Sequence, residues 1–268
     1  LQSVPMEWLT SLPVALLVVG SLAPALLIAG GSRLATAAIV PPREREHVRA
    51  IAAPLMPALG AAFAVLTALT LASEAAYLRS AQDIVSKEAA DASRLAWAST
   101  TPNVEPAPIL EALVDYLRAT RANEWHGANA AEGADDATRD AVAALEQVVR
   151  AEAARPALGT PTSTELLASL DAVTVGRRTR IAAAERQLPP LYVVTLVASG
   201  VALVANAGAL TYGSSVRTSL LVVGLACVVG LSLALLFALA GPWEGALIAS
   251  GQPIDGVVRD LDAGFFAS

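Results

Sequence analysis

The sequence predicts an all-α membrane protein: four transmembrane helices in two hairpin-like pairs, with an extramembrane four-helix bundle inserted between the second and third. Three observations lead there. Residues 8–30, 51–73, 191–211 and 219–241 are apolar runs without a single Asp, Glu, Lys or Arg. Each holds about 20 residues or more, enough at a rise of about 1.5 Å per residue to cross a hydrocarbon core of about 30 Å. Residues 74–190 hold most of the charge, twelve Lys or Arg against seventeen Asp or Glu. Finally, 55% of the chain is hydrophobic and 16% charged, with a mean hydropathy of +0.56, which a soluble chain of this length rarely shows.

The run 8–30 reads as a retained transmembrane helix. A secretory signal needs a basic stretch ahead of its apolar segment, and residues 1–8 carry Glu7 with no Lys or Arg. Residues 31–50 read as a basic linker holding Arg33, Arg43, Arg45 and Arg49, with Pro41-Pro42 breaking any helix. The run 51–73 opens near Pro54 and Pro57, and no proline follows from Ala58 to Thr101. One helix is therefore expected to leave the bilayer unbroken for about 40 residues, or about 60 Å. It keeps an apolar stripe through Leu78, Ala81, Val85, Ala89, Ala92 and Leu95, at helical spacings of three and four.

Prolines 102, 106 and 108 punctuate the chain before a second bundle helix with Ile109, Leu113 and Leu117 on one face, ending near His126-Gly127. Residues 127–135 read as loop. Asp136 is expected to cap a third helix carrying Val142, Leu145 and Val149, stopped by Pro156. Thr162-Ser163-Thr164-Glu165 fits a capping box at the start of a fourth, with Leu166, Leu170, Val173, Ile181 and Leu188 apolar. Four helices return the chain to the surface it left, so residues 74–190 form the bundle. The last two spans form a hairpin, and Gly200, Gly208, Gly224 and Gly230 allow close helix contact. Residues 242–268 read as a C-terminal interfacial tail, in which Pro253 opens a short helix; docking on the bundle is the other reading of it.

Little catalytic chemistry is on offer. The only histidines, His47 and His126, have no metal-ligand spacing, and the lone Cys227 lies in an apolar helix. There is no phosphate-cradling glycine loop and no nucleophile elbow. No enzyme activity, cofactor or metal is therefore expected. The acidic middle segment argues against a nucleic-acid partner, leaving the lipid bilayer and other protein subunits.

Polar residues in unusual places are the remaining candidates. Asn206 lies deep in the third span, where it either glues helices together or coordinates an ion. Glu74 leaves the second span, where it marks the membrane boundary or rings a pore mouth. Continuing the stripe from Val173 by four reaches Arg177, while Glu88 sits between Val85 and Ala92 on the first bundle helix. Both stand about 20 Å from the membrane if their helices are upright, so Glu88 and Arg177 are expected to pair, with Arg178 or Arg180 as substitutes if the register slips. A structural pair fixing helix register is the first reading; an anion site built on Arg177, Arg178 and Arg180 is the second.

Several segments resemble a bacterial bestrophin-like integral membrane family. They are Glu88-Ala89-Ala90-Asp91-Ala92-Ser93-Arg94-Leu95, Tyr116 with Glu124-Trp125, Arg177-Arg178-Thr179-Arg180, Leu188-Pro189-Pro190 and Gly241-Pro242-Trp243-Glu244-Gly245. They cover nearly the whole chain in order, although the family usually has a longer polar run before the second span and often Phe where Trp243 stands. The resemblance implies likeness to bestrophins, which are pentameric anion channels; their pore aromatics are not found here by spacing. An oligomeric anion channel or transport protein in the bacterial inner membrane is one expectation. The alternative is an accessory or scaffold subunit docking a larger membrane or envelope complex through its bundle. The arginines of residues 31–50 and Arg217 place the bundle and both termini outside the cytoplasm, against the pull of Arg177, Arg178, Arg180 and Arg186.

Overall fold

The charge-free runs become helices, and the computed structural model describes residues 14–125, 128–133, 135–186, 188–213, 216–241, 243 and 247–266. His126, Gly127 and the start of the 8–30 run lie outside the described residues. Helix α1 spans Val14–Ile39, and a 3-10 turn at Pro42–Glu44 separates it from α2, Arg45–Ser99, a single helix of 55 residues. The linker expected at 31–50 thus shortens to residues 40–44, because Gly30-Gly31 is tolerated inside an apolar helix while Pro41-Pro42 is not. Pro54 and Pro57 lie inside α2 rather than at its start. They deprive the carbonyls of Ala50 and Ala53 of helical donors, a loss that spanning helices absorb through local adjustment and neighbouring groups.

Five further helices carry the chain onward: α3 at Pro106–Asn123, α4 at Ala128–Glu132, α5 at Asp136–Ala153, α6 at Thr160–Ala184 and α7 at Pro190–Leu210. Then come α8, Val216–Leu239, and α9, Gln252–Asp262. No strand occurs among the described residues. Helices α1, α2, α7 and α8 are long and apolar enough to cross a membrane. The chain divides into two units. The first holds the described residues of Leu1–Ala76, Gln187–Gly241 and Gly245–Leu247; the second holds those of Tyr77–Arg186, Pro242–Glu244 and Ile248–Ser268.

In the first unit, small residues bring α1 against α7 and α8. A Cβ on Gly208 would run into the Ser32 hydroxyl and the Ala29 carbonyl, and one on Gly230 would stand 2.9 Å from Leu22 Cα. Gly200 faces Val229 and Phe63 in the same way. Gly224 has nothing within 4 Å and contributes no close approach. Around these contacts Leu196, Leu203, Val204, Ala226 and Leu236 are buried. Leu27, Leu69, Leu191 and Leu221 stay exposed, as a lipid-facing surface requires.

The second unit closes on the stripes read from the sequence. Val85, Ala92 and Leu95 of α2 meet Leu113 and Leu117 of α3, Leu145 and Val149 of α5, and Leu166 and Leu170 of α6. Each leucine among them is 3% exposed or less, a burial worth about 1.5–3 kcal/mol apiece. Helix α5 is capped by Asp135, not Asp136: its carboxylate accepts from the Thr138 amide at 2.7 Å, the Thr138 hydroxyl at 2.8 Å and Asn123 Nδ2 at 3.0 Å. The capping box at Thr162 does not form. Pro161 presets helical φ and starts α6 at Thr160, which frees Glu165 to take Arg94 at 3.0 Å. A short helix, α4, stands where loop was expected.

The C-terminal tail folds against α3 rather than lying free. Asp262 accepts from Arg118 at 2.8 Å with both oxygens, and Asp255 accepts from Arg121 at 2.7 and 3.1 Å. Ile254 and Val257 of α9 are buried. Beyond it Phe266 is buried and Phe265 exposed, both edge-on to Trp97.

Candidate functional site: a buried glutamate–arginine cluster

Two carboxylates, two guanidinium groups and a phenol converge inside the second unit. Glu88 of α2 comes in on the same stripe as Val85 and Ala92. Its Oε1 accepts from the Tyr116 hydroxyl at 2.7 Å, and its Oε2 accepts from Arg180 Nε at 2.8 Å. Arg180 also donates to the Glu124 carbonyl at 3.0 Å and to Glu124 Oε2 at 3.2 Å. Arg177 donates to both carboxylate oxygens of Glu124, Nε to Oε2 at 3.0 Å, and to the Gly133 carbonyl at 3.3 Å. Glu88, Glu124 and Arg180 are fully buried; Arg177 keeps 14% of its side chain exposed.

The expected Glu88–Arg177 pair is therefore replaced by Glu88–Arg180, one helical turn further along α6. Gly176 faces Glu88 at this crossing. A Cβ there would lie 3.4–3.5 Å from Glu88 carbons, an ordinary van der Waals contact, so α2 and α6 are close-packed where the carboxylate reaches Arg180. Arg180 is also seven residues from Val173, close to two full turns, and so nearly in its phase. Arg177 is left to Glu124, which stands just past the end of α3. Gly133, at φ 54°, presents the carbonyl that completes the arrangement, in a backbone conformation that glycine adopts without penalty.

The formal charges cancel, two against two. Burial pushes the Tyr116 hydroxyl well above its ordinary pKa, and the adjacent Glu88 charge pushes it further, so the phenol stays protonated as a donor. Burial alone would draw Arg180 down, but Glu88, Tyr116 and Glu124 hold it above the ordinary arginine value. Trp125 closes one side, its ring 5.7 Å from Arg180 Cζ and 4.5 Å from Arg121 Cζ, and Trp243 meets it edge-on. Every charged group in the cluster is turned on another. Such an arrangement locks α2, α3 and α6 in register; it offers no open cation to an incoming anion.

The other candidates separate from it. Arg178 is exposed and stands apart from the cluster. Asn206 Nδ2 donates to the Ala52 carbonyl at 3.0 Å, with Met56 Sδ at 3.6 Å, bridging α7 to α2 beside Pro54 and Pro57. Glu74 is 4% exposed, buried within the chain. Glu124 and Tyr116 carry as much of the cluster as Glu88 does. Periodicity misses Glu124 because it lies beyond its helix; the resemblance had picked out Tyr116 with the Glu124-Trp125 pair.

Four helices long and apolar enough to cross a membrane, joined to this charge-locked unit and without a strand among the described residues, mark a helical membrane protein. The chain belongs to the bestrophin-like family: the model of the bestrophin-like domain matches residues 23–254, which take in the whole cluster. Comparison with curated proteins and with solved structures finds no match.

Proposed function

We propose that the protein is a non-enzymatic, homo-oligomeric anion channel or transport protein of the bacterial inner membrane. The observation that carries this is the family match over residues 23–254, joined to spans that their own chain leaves largely uncovered. Only 17% of the apolar window in α1 and 11% of that in α2 is buried, so faces remain for lipid and for further copies. In this reading the second unit is a water-facing vestibule of a four-helix bundle, made rigid by the Glu88–Arg180–Glu124–Arg177 cluster. Orientation follows from the arginines. Of the four arginines that pull against an outside bundle, Arg177 and Arg180 are enclosed by protein and paired with carboxylates, which leaves Arg178 and Arg186 exposed on that side. Arg33, Arg43, Arg49 and Arg217 then set the cytoplasmic end.

Purified protein in planar bilayers tests the reading. Expected is a current whose reversal potential under a KCl gradient follows chloride; silent bilayers from a demonstrably folded oligomer would overturn it. A scaffold role is the second reading, favoured by the exposed Trp97 and Phe265 on the second unit and by the absence of an uncommitted arginine in the cluster. A stoichiometric foreign subunit in the mildly solubilised endogenous complex would select it over a ring of identical copies.

A further inference from the structure

The first unit gathers a second set of arginines at one end, built unlike the cluster above. Arg33, near the end of α1, donates to Ser219 in the opening turn of α8, which also carries Arg217. Arg49, in the opening turns of α2, donates to the Tyr212 carbonyl just after α7 at 3.2 Å. Arg43 stands in the 3-10 turn between α1 and α2. These two contacts tie the end of α1, the start of α2, the end of α7 and the start of α8 to one end of the spanning helices. Arg43, Arg49 and Arg217 are exposed and, among the described residues, form no ion pair. Only Glu44 and Glu46 oppose them locally, both exposed.

We propose that this end seats the phosphate groups of acidic phospholipids, with Arg43, Arg49 and Arg217 as the contact residues. Three points support a lipid headgroup. The positive charge ends apolar helices long enough to cross a bilayer, which puts it at headgroup depth, where long arginine side chains reach outward to phosphate. The guanidinium groups come from three separate elements at one end, the 3-10 turn, α2 and α8, so one phosphate layer can satisfy them together. Among the described residues no carboxylate pairs with them, in contrast to Arg177 and Arg180.

Full-length protein in mild detergent, titrated with phosphatidylglycerol or phosphatidylcholine and read by native mass spectrometry, is the test. The native chain should bind phosphatidylglycerol about tenfold more tightly than phosphatidylcholine or better, since each basic residue at a membrane surface adds to acidic-lipid affinity. The preference should shrink as salt is raised. The triple variant Arg43→Gln/Arg49→Gln/Arg217→Gln should fall below about a twofold preference, while the corresponding lysine triple keeps most of it. Arg79→Gln/Arg178→Gln, exposed arginines of the second unit, should leave it intact. Equal affinity for the two lipids, or a preference that survives the glutamine triple, would overturn the proposal. Displacement by equimolar glycerol phosphate would reassign the end to a soluble phosphate, and a stoichiometric protein released by the glutamine triple would reassign it to a protein partner. Either outcome ends the lipid assignment.

Discussion

The arginines of the two units do opposite jobs with the same side chain. In the second unit Arg177 and Arg180 are drawn inside, each within hydrogen-bond reach of a glutamate that is fully buried. At the end of the first unit Arg43, Arg49 and Arg217 are exposed and, among the described residues, have no carboxylate partner. A buried guanidinium has to be matched in charge and in hydrogen bonds, because water cannot do it. An exposed one keeps its solvation and remains available to phosphate. Removing a member of the first set should therefore break structure, whereas removing members of the second should change mainly what the surface attracts, with Arg49 also giving up one exposed bond to the Tyr212 carbonyl.

The largest effect belongs to the cluster. Glu88→Leu or Arg180→Met alone leaves an uncompensated buried charge and should cost about 3–5 kcal/mol, read as loss of cooperative melting in the second unit. The double variant should recover most of that loss, since the Glu124–Arg177 pair survives and two apolar side chains fill the gap. Charge reversal of both residues should recover little, because a glutamate at position 180 would face Glu124. A double variant no better than the singles would show that Glu88 and Arg180 are not partners.

Tyr116→Phe comes next. It strips Glu88 of one buried donor and should cost about 1–3 kcal/mol. The pH dependence has a definite sign. Tyr116 has a raised pKa when folded, so its contribution is full below the unfolded tyrosine value of about 10 and is lost as pH rises through the folded one. The native chain should therefore lose stability in alkali more steeply than Tyr116→Phe. Parallel alkaline denaturation curves for the two would remove Tyr116 from the cluster's energetics.

Asp135→Ala should act in the same direction and more weakly, by exposing the first amides of α5. Asp135 titrates below its ordinary value because it accepts from the Thr138 amide and hydroxyl. Its contribution is present above the unfolded aspartate pKa and fades as pH falls through the folded one. Acid melting that is unchanged in Asp135→Ala would contradict the cap. The smallest effect on stability is expected from Arg43→Gln/Arg49→Gln/Arg217→Gln, within about 0.5 kcal/mol for each substitution as for other surface changes. A larger loss in a thermal melt would mean that those arginines are structural after all.

How much was legible in the sequence differs between the units. The spans could be read because charge is absent from four long runs, and no local detail can undo that. Their ends could not: α1 runs on past Gly30-Gly31 and α2 starts before Pro54, since a glycine or proline signal yields to packing or to local adjustment of the backbone. Stripes such as Leu113 with Leu117, or Leu166 with Leu170, were readable from spacing and reach the core as expected. Capping was misplaced at Asp136 by one residue and at Thr162 by three, where Pro161 draws the helix start back to Thr160. The tail's short helix was visible from Pro253 onward, but its docking on α3 rests on Arg118 and Arg121, two helix-face arginines with no local mark.

By itself the sequence determined the all-helical class, the four membrane-length helices and the presence of Glu88 and an arginine at facing seam positions. These depend on composition and on a period of about 3.6 residues, and both are properties of a single segment. Tertiary structure alone decided which arginine meets Glu88, because the register between α2 and α6 sets which guanidinium a side chain of fixed length reaches. It also brought in Glu124, whose place past a helix end carries no period. The same packing separated arginines that are buried among carboxylates from arginines that stay exposed, a distinction between residues of identical chemistry that only their surroundings make.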